Sequence, residues 1–327
     1  MRAMVLLPGA KQLELKDIPV PSPQPDEVLV KVFACGVCRT DLHILDRELK
    51  TPMQQLVPGH QIVGRVVDFG SQARRFAIGD HVGIPWLGGT CGSCFYCQKH
   101  LENLCDYAVF TGFQRDGGYA EYCTAREEYC FPLPPDYTDV EAAPFLCGGL
   151  IGYRALKLCG DAQRVGLLGF GASAHLITQV AVQMGREVFA FTRRGDTKRQ
   201  EFAKSLGACW SGSIEVPPDE LLDAMIIFAT DGSLVPASLP LLRKGGSVVC
   251  AGIHMSDITS FHYVDLWNER VIRSVANLTR DDAVEFLEHA AKHHLKTETT
   301  LYPLEKANEA LDDLRQGRFF GSAVLTL

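Results

Sequence analysis

Residues 164–185, RVGLLGFGASAHLITQVAVQMG, contain a short apolar run, a glycine turn and a longer apolar segment in immediate succession. The first run has the length and composition of a buried strand, and the segment after the turn has the length of a helix that ends at Gly185. Because residues 165–185 carry no Asp, Glu, Lys or Arg, a membrane span is an alternative. Glycines, a histidine, a threonine and two glutamines inside the stretch favour strand, turn and helix.

The same alternation of strand and helix continues on both sides, from about residue 160 to 275. Strand-like runs are RVGLLG, EVFAF, DAMIIFAT, SVVCAG and VIRSVA, and helix-like runs are AHLITQVAVQMG, DTKRQEFAKSLG and VPASLPLLRKGG. Alternation at this spacing is typical of a parallel, doubly wound sheet. The sequence therefore predicts an α/β fold with a Rossmann domain over residues 149–274.

The remainder of the chain has a different sequence pattern. Short β-type runs separated by Pro and Gly turns fill the first part, among them EVLVKVFACGV, QIVGRVVDFG, GDHVGIPW and GGYAEYCTA. Two helices, RDDAVEFLEHAAKHH and LEKANEALDDLRQG, and a strand, SAVLTL, are predicted at the end. We assign residues 1–148 and 275–327 to a second, β-rich domain.

The glycine turn has the form G-x-G-x-x-A, with Gly169, Gly171 and Ala174 at the defined positions. A turn of this form after a strand and before a helix lets a dinucleotide pyrophosphate approach the backbone and the helix N-terminus. The alternative is a tight strand-to-helix turn that binds no ligand.

The residues that follow the second strand of the Rossmann domain indicate which nicotinamide cofactor the site prefers. Sites for NAD usually carry an acidic residue about 20 positions after the turn, where it holds the ribose hydroxyl. Here Thr192 takes that place, and Arg193 and Arg194 follow it. Two guanidinium groups without a carboxylate favour a 2′-phosphate and hence NADP over NAD. A solvated basic turn balanced by Asp196 is the alternative.

Four cysteines lie close together in the segment GGTCGSCFYCQKHLENLC. Cys91, Cys94, Cys97 and Cys105 follow the pattern C-x2-C-x2-C-x7-C, and we call residues 91–105 the four-cysteine loop. Four thiolates fill the tetrahedral coordination of zinc and leave no open position, so such a metal is structural. The alternative is a set of idle or buried thiols.

Chemistry at a metal then needs other ligands, and Cys38, His60 and Cys147 are candidates. A Cys/His/Cys set leaves the fourth zinc position open for water or substrate. Spacing alone cannot bring three distant residues together. Core cysteines and a loop histidine stay open as alternatives at this point.

Seven segments resemble those of the zinc-dependent alcohol dehydrogenases in the medium-chain dehydrogenase/reductase superfamily, in order along nearly the whole chain. They are CGVCRTDLH, PGHQIVGRV, GDHVGIPW, the four-cysteine loop, GGYAEY, FLCGGLIGYRAL and the glycine turn. The resemblance implies that the β-rich domain is a GroES-like catalytic domain. It also implies two zinc ions per chain, a catalytic one on Cys38, His60 and Cys147 and a structural one on the four-cysteine loop.

The resemblance implies roles for the residues that follow the first zinc cysteine. Thr40 would hydrogen-bond the alcohol oxygen, and His43 would pass the alcohol proton to solvent. Asp41 would orient the imidazole of His60. From the sequence alone, Thr40 and Asp41 could instead cap a local turn, and His43 could lie at the surface.

Three further positions follow from the same resemblance. Arg39 would contact the cofactor pyrophosphate, and Trp86 is similar to the aromatic residue that lines the alcohol pocket, although it could also be a core residue. Gln61 stands where the family commonly has Glu. The amide removes one negative charge near the metal, which affects metal exchange more than the class of reaction.

These features predict an enzyme that transfers a hydride between NAD(P) and a primary or secondary alcohol through a zinc alkoxide. The nicotinamide would lie beside the substrate in the cleft between the domains. A cinnamyl- or aryl-alcohol-type NADPH reductase stays open as an alternative. A non-catalytic zinc- and nucleotide-binding redox sensor is the alternative from another class of protein.

Composition limits the partners and the compartment. The chain has 32 basic and 39 acidic residues, a net charge of −7, and no run rich in Lys and Arg, so neither nucleic acid nor an anionic membrane is an expected partner. Twelve cysteines without a secretory signal indicate a reducing compartment, the cytoplasm. The resemblance further suggests an alcohol or aldehyde as substrate and a homodimer or homotetramer.

Overall fold

The structure is a computed structural model that describes residues 1–327. Its strands are β1 (Arg2–Val5), β2 (Glu14–Asp17), β3 (Glu27–Val37), β4 (Ile62–Phe69), β5 (His81–Ile84), β6 (Leu87–Gly89), β7 (Val109–Phe110), β8 (Tyr122–Arg126), β9 (Phe131–Pro132), β10 (Arg164–Leu168), β11 (Glu187–Phe191), β12 (Trp210–Gly212), β13 (Leu222–Ile227), β14 (Leu242–Cys250), β15 (Val271–Ser274), β16 (Thr299–Pro303) and β17 (Ser322–Thr326). Its helices are α1 (Arg39–Leu45), α2 (Asp139–Ala142), α3 (Gly148–Leu158), α4 (Ala172–Gln183), α5 (Thr197–Ser205), α6 (Leu234–Ser238), α7 (Tyr263–Leu266), α8 (Arg280–His293) and α9 (Ala307–Gln316).

The chain folds into two compact units. Unit 1 comprises Met1–Cys147 and Asn277–Leu327, and unit 2 comprises Gly148–Ala276. Strands β10 to β15 and helices α3 to α7 belong to unit 2, and all other strands and helices belong to unit 1.

Unit 2 is built on a six-stranded sheet with the order β12-β11-β10-β13-β14-β15. Every neighbouring pair in this sheet is parallel. The apolar residues of β10 and β13, including Val165 and Ile226, are fully buried, as expected for strands covered on both faces. The strand order reverses between β10 and β13, the position where open α/β sheets bind ligands. The predicted doubly wound Rossmann sheet is confirmed.

One predicted helix is shorter than the sequence pattern suggests. The pattern predicts a helix throughout the segment 235–246, but α6 ends at Ser238 and β14 begins at Leu242. Pro240 explains the early end, because a proline ring inside a helix removes a hydrogen bond and collides with the preceding turn. Residues 165–185 form β10, the glycine turn and α4, and none of the helices has the length and apolar composition that crossing a bilayer requires.

Unit 1 is built on a seven-stranded sheet with the order β16-β17-β3-β4-β5-β9, in which β8 also pairs with β3. The long strand β3 lies at the centre and pairs antiparallel with β4, with Cys35 opposite Ile62. This register places the residues just after β3 and just before β4 at the same end of the sheet. Cys38 and His60 occupy those two positions.

Candidate metal centres and nucleotide-binding turn

Cys38, His60 and Cys147 come together in unit 1, from three separate parts of the chain. Cys38 precedes α1, His60 precedes β4, and Cys147 follows a 3-10 turn over Ala143–Leu146. One ligand atom from each residue lies within 4.8 Å of the other two. The structure therefore assembles the three scattered candidates that spacing alone could not join.

The geometry of these three side chains fits a zinc ion. The sulfurs of Cys38 and Cys147 are 3.7 Å apart, and two ligands on tetrahedral zinc with Zn–S bonds of about 2.3 Å are separated by about 3.8 Å. His60 is fully buried, and neither of its ring nitrogens forms a hydrogen bond. A buried imidazole nitrogen without a partner beside two thiols is the donor set that zinc prefers.

The charges of the three groups are strongly coupled. A hydrogen bond from the Cys147 thiol, with the nearby His60, holds the pKa of Cys38 well below its usual value. The same contact and burial raise the pKa of Cys147 well above its usual value. Burial opposes protonation of His60, but Asp41 and Cys38 outweigh it and raise the pKa of His60 to about 10. The surroundings of the three groups therefore favour a positive charge, and a divalent cation would supply one.

Asp41 lies directly behind this site and is buried, with 2% of its surface exposed. Its Oδ1 is 3.3 Å from Nδ1 of His60 and accepts a hydrogen bond of 3.3 Å from the Gly59 amide. Its Oδ2 accepts hydrogen bonds from the Cys38 amide at 2.8 Å and from the Tyr119 hydroxyl at 3.1 Å. Asp41 thus both caps α1 and faces the imidazole, so the two alternatives considered from the sequence coexist.

Thr40 and His43 lie one helical turn apart on α1 and are both buried, each 7% exposed. Oγ1 of Thr40 is 3.6 Å from Sγ of Cys38. Nδ1 of His43 contacts Oε2 of Glu48, whose side chain is 44% exposed. Sequence reasoning missed Glu48, because its link to His43 depends on the chain turning back at the end of α1, where the amide of Glu48 donates to the His43 carbonyl at 2.9 Å.

Three further residues were expected near the metal, the alcohol pocket or the cofactor: Gln61, Trp86 and Arg39. Gln61 is buried, and its backbone carbonyl accepts a hydrogen bond of 2.9 Å from the Gly36 amide. Trp86 is 7% exposed, and its ring centroid lies 4.9 Å from that of His60 and 5.1 Å from that of Phe110. Arg39 is exposed at the first position of α1.

The four-cysteine loop of unit 1 brings its four sulfurs within 4.8 Å of one another. Sγ of Cys91 lies 4.0 Å from that of Cys97 and 3.6 Å from that of Cys105, again close to the spacing on tetrahedral zinc. Backbone amides point at the sulfurs, and those of Ser93 and Cys94 lower the pKa of Cys91 to about 6. This set fits zinc with four thiolates and no open position. All twelve cysteines of the chain are free.

A buried glutamate anchors the four-cysteine loop to the C-terminal segment of unit 1. Glu102 is 5% exposed, and its Oε1 accepts a 2.9 Å hydrogen bond from the amide of Arg280 and lies 3.4 Å from Nε of the same residue. The guanidinium of Arg280 also stacks over the ring of Tyr129, 5.4 Å from its centroid. The loop is thereby fixed to the start of α8.

The glycine turn lies at the carboxyl end of β10, at the switch point of the unit 2 sheet. Gly169 has φ +96°, in the left-handed region that favours glycine, and a Cβ there would be 3.0 Å from the amide nitrogen of Ala229. Gly171 precedes α4, and a Cβ added to it would have no atom within 4 Å, so the backbone is open to a ligand. Ala174 is fully buried. The first amides of α4 have no helical acceptors, which suits a pyrophosphate.

The basic turn after β11 presents two exposed arginines, of which Arg194 lies within electrostatic reach of Glu215. Arg193 and Arg194 are exposed, whereas Thr192 is partly buried and accepts a 3.0 Å hydrogen bond from Nε2 of Gln200. Asp196 does not neutralise the pair, because its carboxylate caps α5 and lies 2.8 Å from Nη1 of Arg199.

The chain is similar to known alcohol dehydrogenases over most of its length. Residues 24–135 match the alcohol dehydrogenase GroES-like domain family. The chain is 45% identical to a probable alcohol dehydrogenase AdhA of Mycobacterium tuberculosis, over 94% of this chain and 91% of the relative. It is 34% identical to an alcohol dehydrogenase of Geobacillus stearothermophilus, over 100% and 99% of the two chains.

Among solved structures, the acetophenone reductase of Geotrichum candidum in complex with NAD is similar over 100% of this chain and 97% of its own. The TM-score is 0.90 and the identity is 26%. A GroES-like domain joined to a Rossmann-type sheet defines the medium-chain dehydrogenases/reductases. Within that superfamily, the chain belongs to the zinc-dependent alcohol dehydrogenase family.

Proposed function

We propose that the protein is a zinc-dependent alcohol dehydrogenase that interconverts an alcohol and its carbonyl compound with NADP. The observation that carries the proposal is the Cys38–His60–Cys147 set, whose three ligands leave one zinc position open for substrate. The names of the relatives support the same activity. The zinc sites belong to residues 1–148 and 275–327 and the nucleotide site to residues 149–274 in this proposal.

A zinc ion on these ligands would supply a Lewis acid that lowers the pKa of an alcohol oxygen. The protein residues then orient and move the proton. The hydroxyl of Thr40 would hydrogen-bond the alcohol oxygen, and its distance of 3.6 Å from the Cys38 sulfur supports this role. His43 is the next acceptor on the same face of α1, and the exposed carboxylate of Glu48 connects its imidazole to solvent.

A second zinc ion on the four-cysteine loop would be structural, since its four thiolates leave no position for substrate. For the cofactor, the exposed Arg193 and Arg194 support NADP, and the open backbone at Gly171 supports a pyrophosphate beside α4. Arg39 would add a contact to the pyrophosphate. Twelve free thiols support a cytoplasmic location.

Two measurements test the activity and the metal sites. Alcohols and aldehydes are screened by absorbance at the reduced nicotinamide band with NADP(H) and with NAD(H), and zinc is counted by elemental analysis. We expect turnover and two zinc ions per chain, falling to one with loss of turnover in Cys147→Ala. Two zinc ions without turnover of any alcohol or aldehyde would instead favour the non-catalytic redox sensor. A Cys147→Ala protein that keeps both zinc ions and full activity would contradict the assignment of the catalytic site.

We also propose that the protein is a homodimer or homotetramer that uses the edge of the unit 2 sheet. Strand β15 is the last strand of the sheet and pairs only with β14. Val271 on this strand (47% exposed) and three residues just before it in the chain are exposed apolar side chains: Tyr263 (70%), Val264 (67%) and Trp267 (57%). A second copy would cover these side chains and extend the open edge.

Light scattering coupled to size exclusion tests this proposal. We expect a mass of two or four chains, and a smaller mass for Trp267→Glu. Tyr107→Glu, which changes an aromatic residue of similar exposure (71%) in unit 1, serves as the control and should leave the mass unchanged. A monomeric wild-type protein, or a Trp267→Glu protein of unchanged mass, would contradict it.

A further inference from the structure

The carboxylate behind the catalytic metal set has no cationic side chain to balance it apart from the imidazole it faces. Asp41 is 2% exposed, and its one ion-pair contact is with His60. A buried carboxylate without a Lys or Arg partner depends on hydrogen-bond donors for its stability. Two of its three donors are backbone amides, those of Cys38 and Gly59, and the third is the hydroxyl of Tyr119.

The segment that contains Tyr119 is joined closely to the turn that precedes His60. The amide of Gly118 donates to the Gly59 carbonyl at 3.0 Å, and the amide of Tyr119 donates to the Pro58 carbonyl at 3.0 Å. The ring of Tyr119 packs against Gly59, where a Cβ would lie only 2.4 Å from Cδ1 of the ring. Gly59 has φ +95°, so glycine is required both by the backbone and by the ring.

Only one orientation of the Tyr119 hydroxyl allows it to form a hydrogen bond. Tyr119 is fully buried, and its hydroxyl has a single hydrogen-bond partner, Oδ2 of Asp41 at 3.1 Å. Burial and the Asp41 charge raise the pKa of Tyr119 well above its usual value, so the phenol keeps its proton and acts as a donor. The hydroxyl therefore donates its hydrogen bond to Asp41.

We propose that Tyr119 is a positioning residue for the catalytic zinc, acting through Asp41. By donating to Oδ2, the hydroxyl holds the carboxylate in the plane in which Oδ1 faces Nδ1 of His60. The orientation of the imidazole, and with it the retention of zinc, then depends on Tyr119 although this residue touches neither the ligand sulfurs nor the imidazole nitrogen. Partners of metal ligands commonly change metal affinity by about 10- to 100-fold. The inference rests on the zinc site proposed above.

The competing explanation is that Tyr119 only fills space in the core. Tyr119→Phe separates the two, because it keeps the ring that packs against Gly59 and removes only the hydroxyl. Tyr129→Phe is the matched control: Tyr129 is equally buried (1% exposed) in the same unit, and its hydroxyl also has one partner, Oγ1 of Thr90 at 2.7 Å. Both variants lose one buried hydroxyl, but only one of the hydroxyls touches Asp41.

The measurement is the rate of zinc transfer from the zinc-loaded protein to a chromogenic chelator. The release phase that is absent in Cys147→Ala identifies the catalytic site. We expect this phase to be about tenfold faster in Tyr119→Phe and unchanged in Tyr129→Phe. Equal rates in Tyr119→Phe and wild-type protein would overturn the inference. An absent phase in the wild-type protein would instead overturn the zinc site itself.

A second readout covers the case in which Tyr119→Phe is less stable. Zinc is added to the apoprotein of each variant, and the rise in Tm is compared with that of wild type. A positioning role predicts a smaller zinc-induced rise for Tyr119→Phe than for Tyr129→Phe, whereas a packing role predicts equal rises.

A double-mutant cycle tests whether Tyr119 acts through Asp41. If it does, Tyr119→Phe should add less than twofold to the zinc release rate of Asp41→Asn, because the carboxylate that the hydroxyl orients is already gone. A tenfold effect of Tyr119→Phe in both backgrounds would show that the residue acts by another route and would overturn the inference.

Discussion

The proposed preference for NADP over NAD rests on two exposed arginines, Arg193 and Arg194, of which Arg194 also lies within electrostatic reach of Glu215. Arg193 and Arg194 follow β11 and are exposed, and the nearby Asp196 is occupied by capping α5 and by its 2.8 Å contact with Arg199. The carboxylate of Asp196 is therefore engaged elsewhere and does not compete with a bound phosphate for the two arginines. Replacing both arginines, in Arg193→Ala/Arg194→Ala, should selectively weaken the binding of NADPH.

The size of this effect can be worked out from the exposure of the two side chains. A hydrogen bond to a charged group contributes about 1.5 to 3 kcal/mol, but solvent screening reduces exposed ion pairs to about 1 kcal/mol each. Two contacts then give about 2 kcal/mol, or about a 30-fold loss in kcat/KM. NADH lacks the 2′-phosphate, so its kcat/KM should change less than threefold. Salt should weaken NADPH binding in the wild-type protein more than in the variant.

The assay compares kcat/KM for NADPH and NADH with one aldehyde at fixed ionic strength. Arg243→Ala is the control, since Arg243 is a surface arginine near the beginning of β14, opposite to the strand ends that bind nucleotides, and pairs with Asp223 at 2.9 Å. It should leave both values unchanged. If the double variant keeps the wild-type ratio of the two cofactors, or if the wild-type protein prefers NADH, the reasoning from these arginines is wrong.

Two further substitutions test contacts that became visible only in the structure. Glu48→Gln should lower kcat for alcohol oxidation about tenfold, because an amide cannot take up the proton that His43 releases. Activity should recover in Glu48→Asp and on addition of imidazole buffer. Equal kcat in Glu48→Gln and Glu48→Asp would contradict this role. Glu102→Gln removes a charged acceptor from the amide and guanidinium of Arg280 and should lower Tm by about 4 °C, while kcat per zinc-loaded molecule stays unchanged. A normal Tm in that variant would mean that the four-cysteine loop is held without this anchor.

The Rossmann-type unit was predictable because its signals are local. The strand β10, the glycine turn and α4 follow one another without interruption, and the length and composition of each segment are typical of its element. The failure at residues 235–246 has a local cause as well. The apolar pattern suggests a helix, but Pro240 interrupts its hydrogen bonding, and β14 takes up the chain from Leu242.

The candidate metal ligands could be recognised from the sequence, but the residues that support them could not. The residue types alone make Cys38, His60 and Cys147 candidate ligands, but only the family resemblance joins them into one site, since their spacing carries little information. Tyr119 was visible only as part of the motif GGYAEY, and its contact with Asp41 joins residues 78 positions apart in the chain. Glu48 is close to His43 in sequence, yet their contact depends on how the chain leaves α1. Such contacts are set by the packing of separate segments, which a single sequence does not reveal.

The two cysteine sets differ in how their geometry is produced. The ligands of the four-cysteine loop lie within 15 residues, in a segment whose only regular structure is two 3-10 turns, Cys97–Lys99 and Glu102–Leu104. Three of these four cysteines are exposed or partly exposed, so apart from the Glu102 anchor little burial holds the loop, and a bound zinc ion would add to its order. Cys38 and His60, in contrast, are placed by the register of β3 with β4 and by the hydrogen bonds to Asp41. The proposed catalytic set is therefore positioned by the fold itself, whereas the four-cysteine loop would gain more of its order from a bound zinc ion.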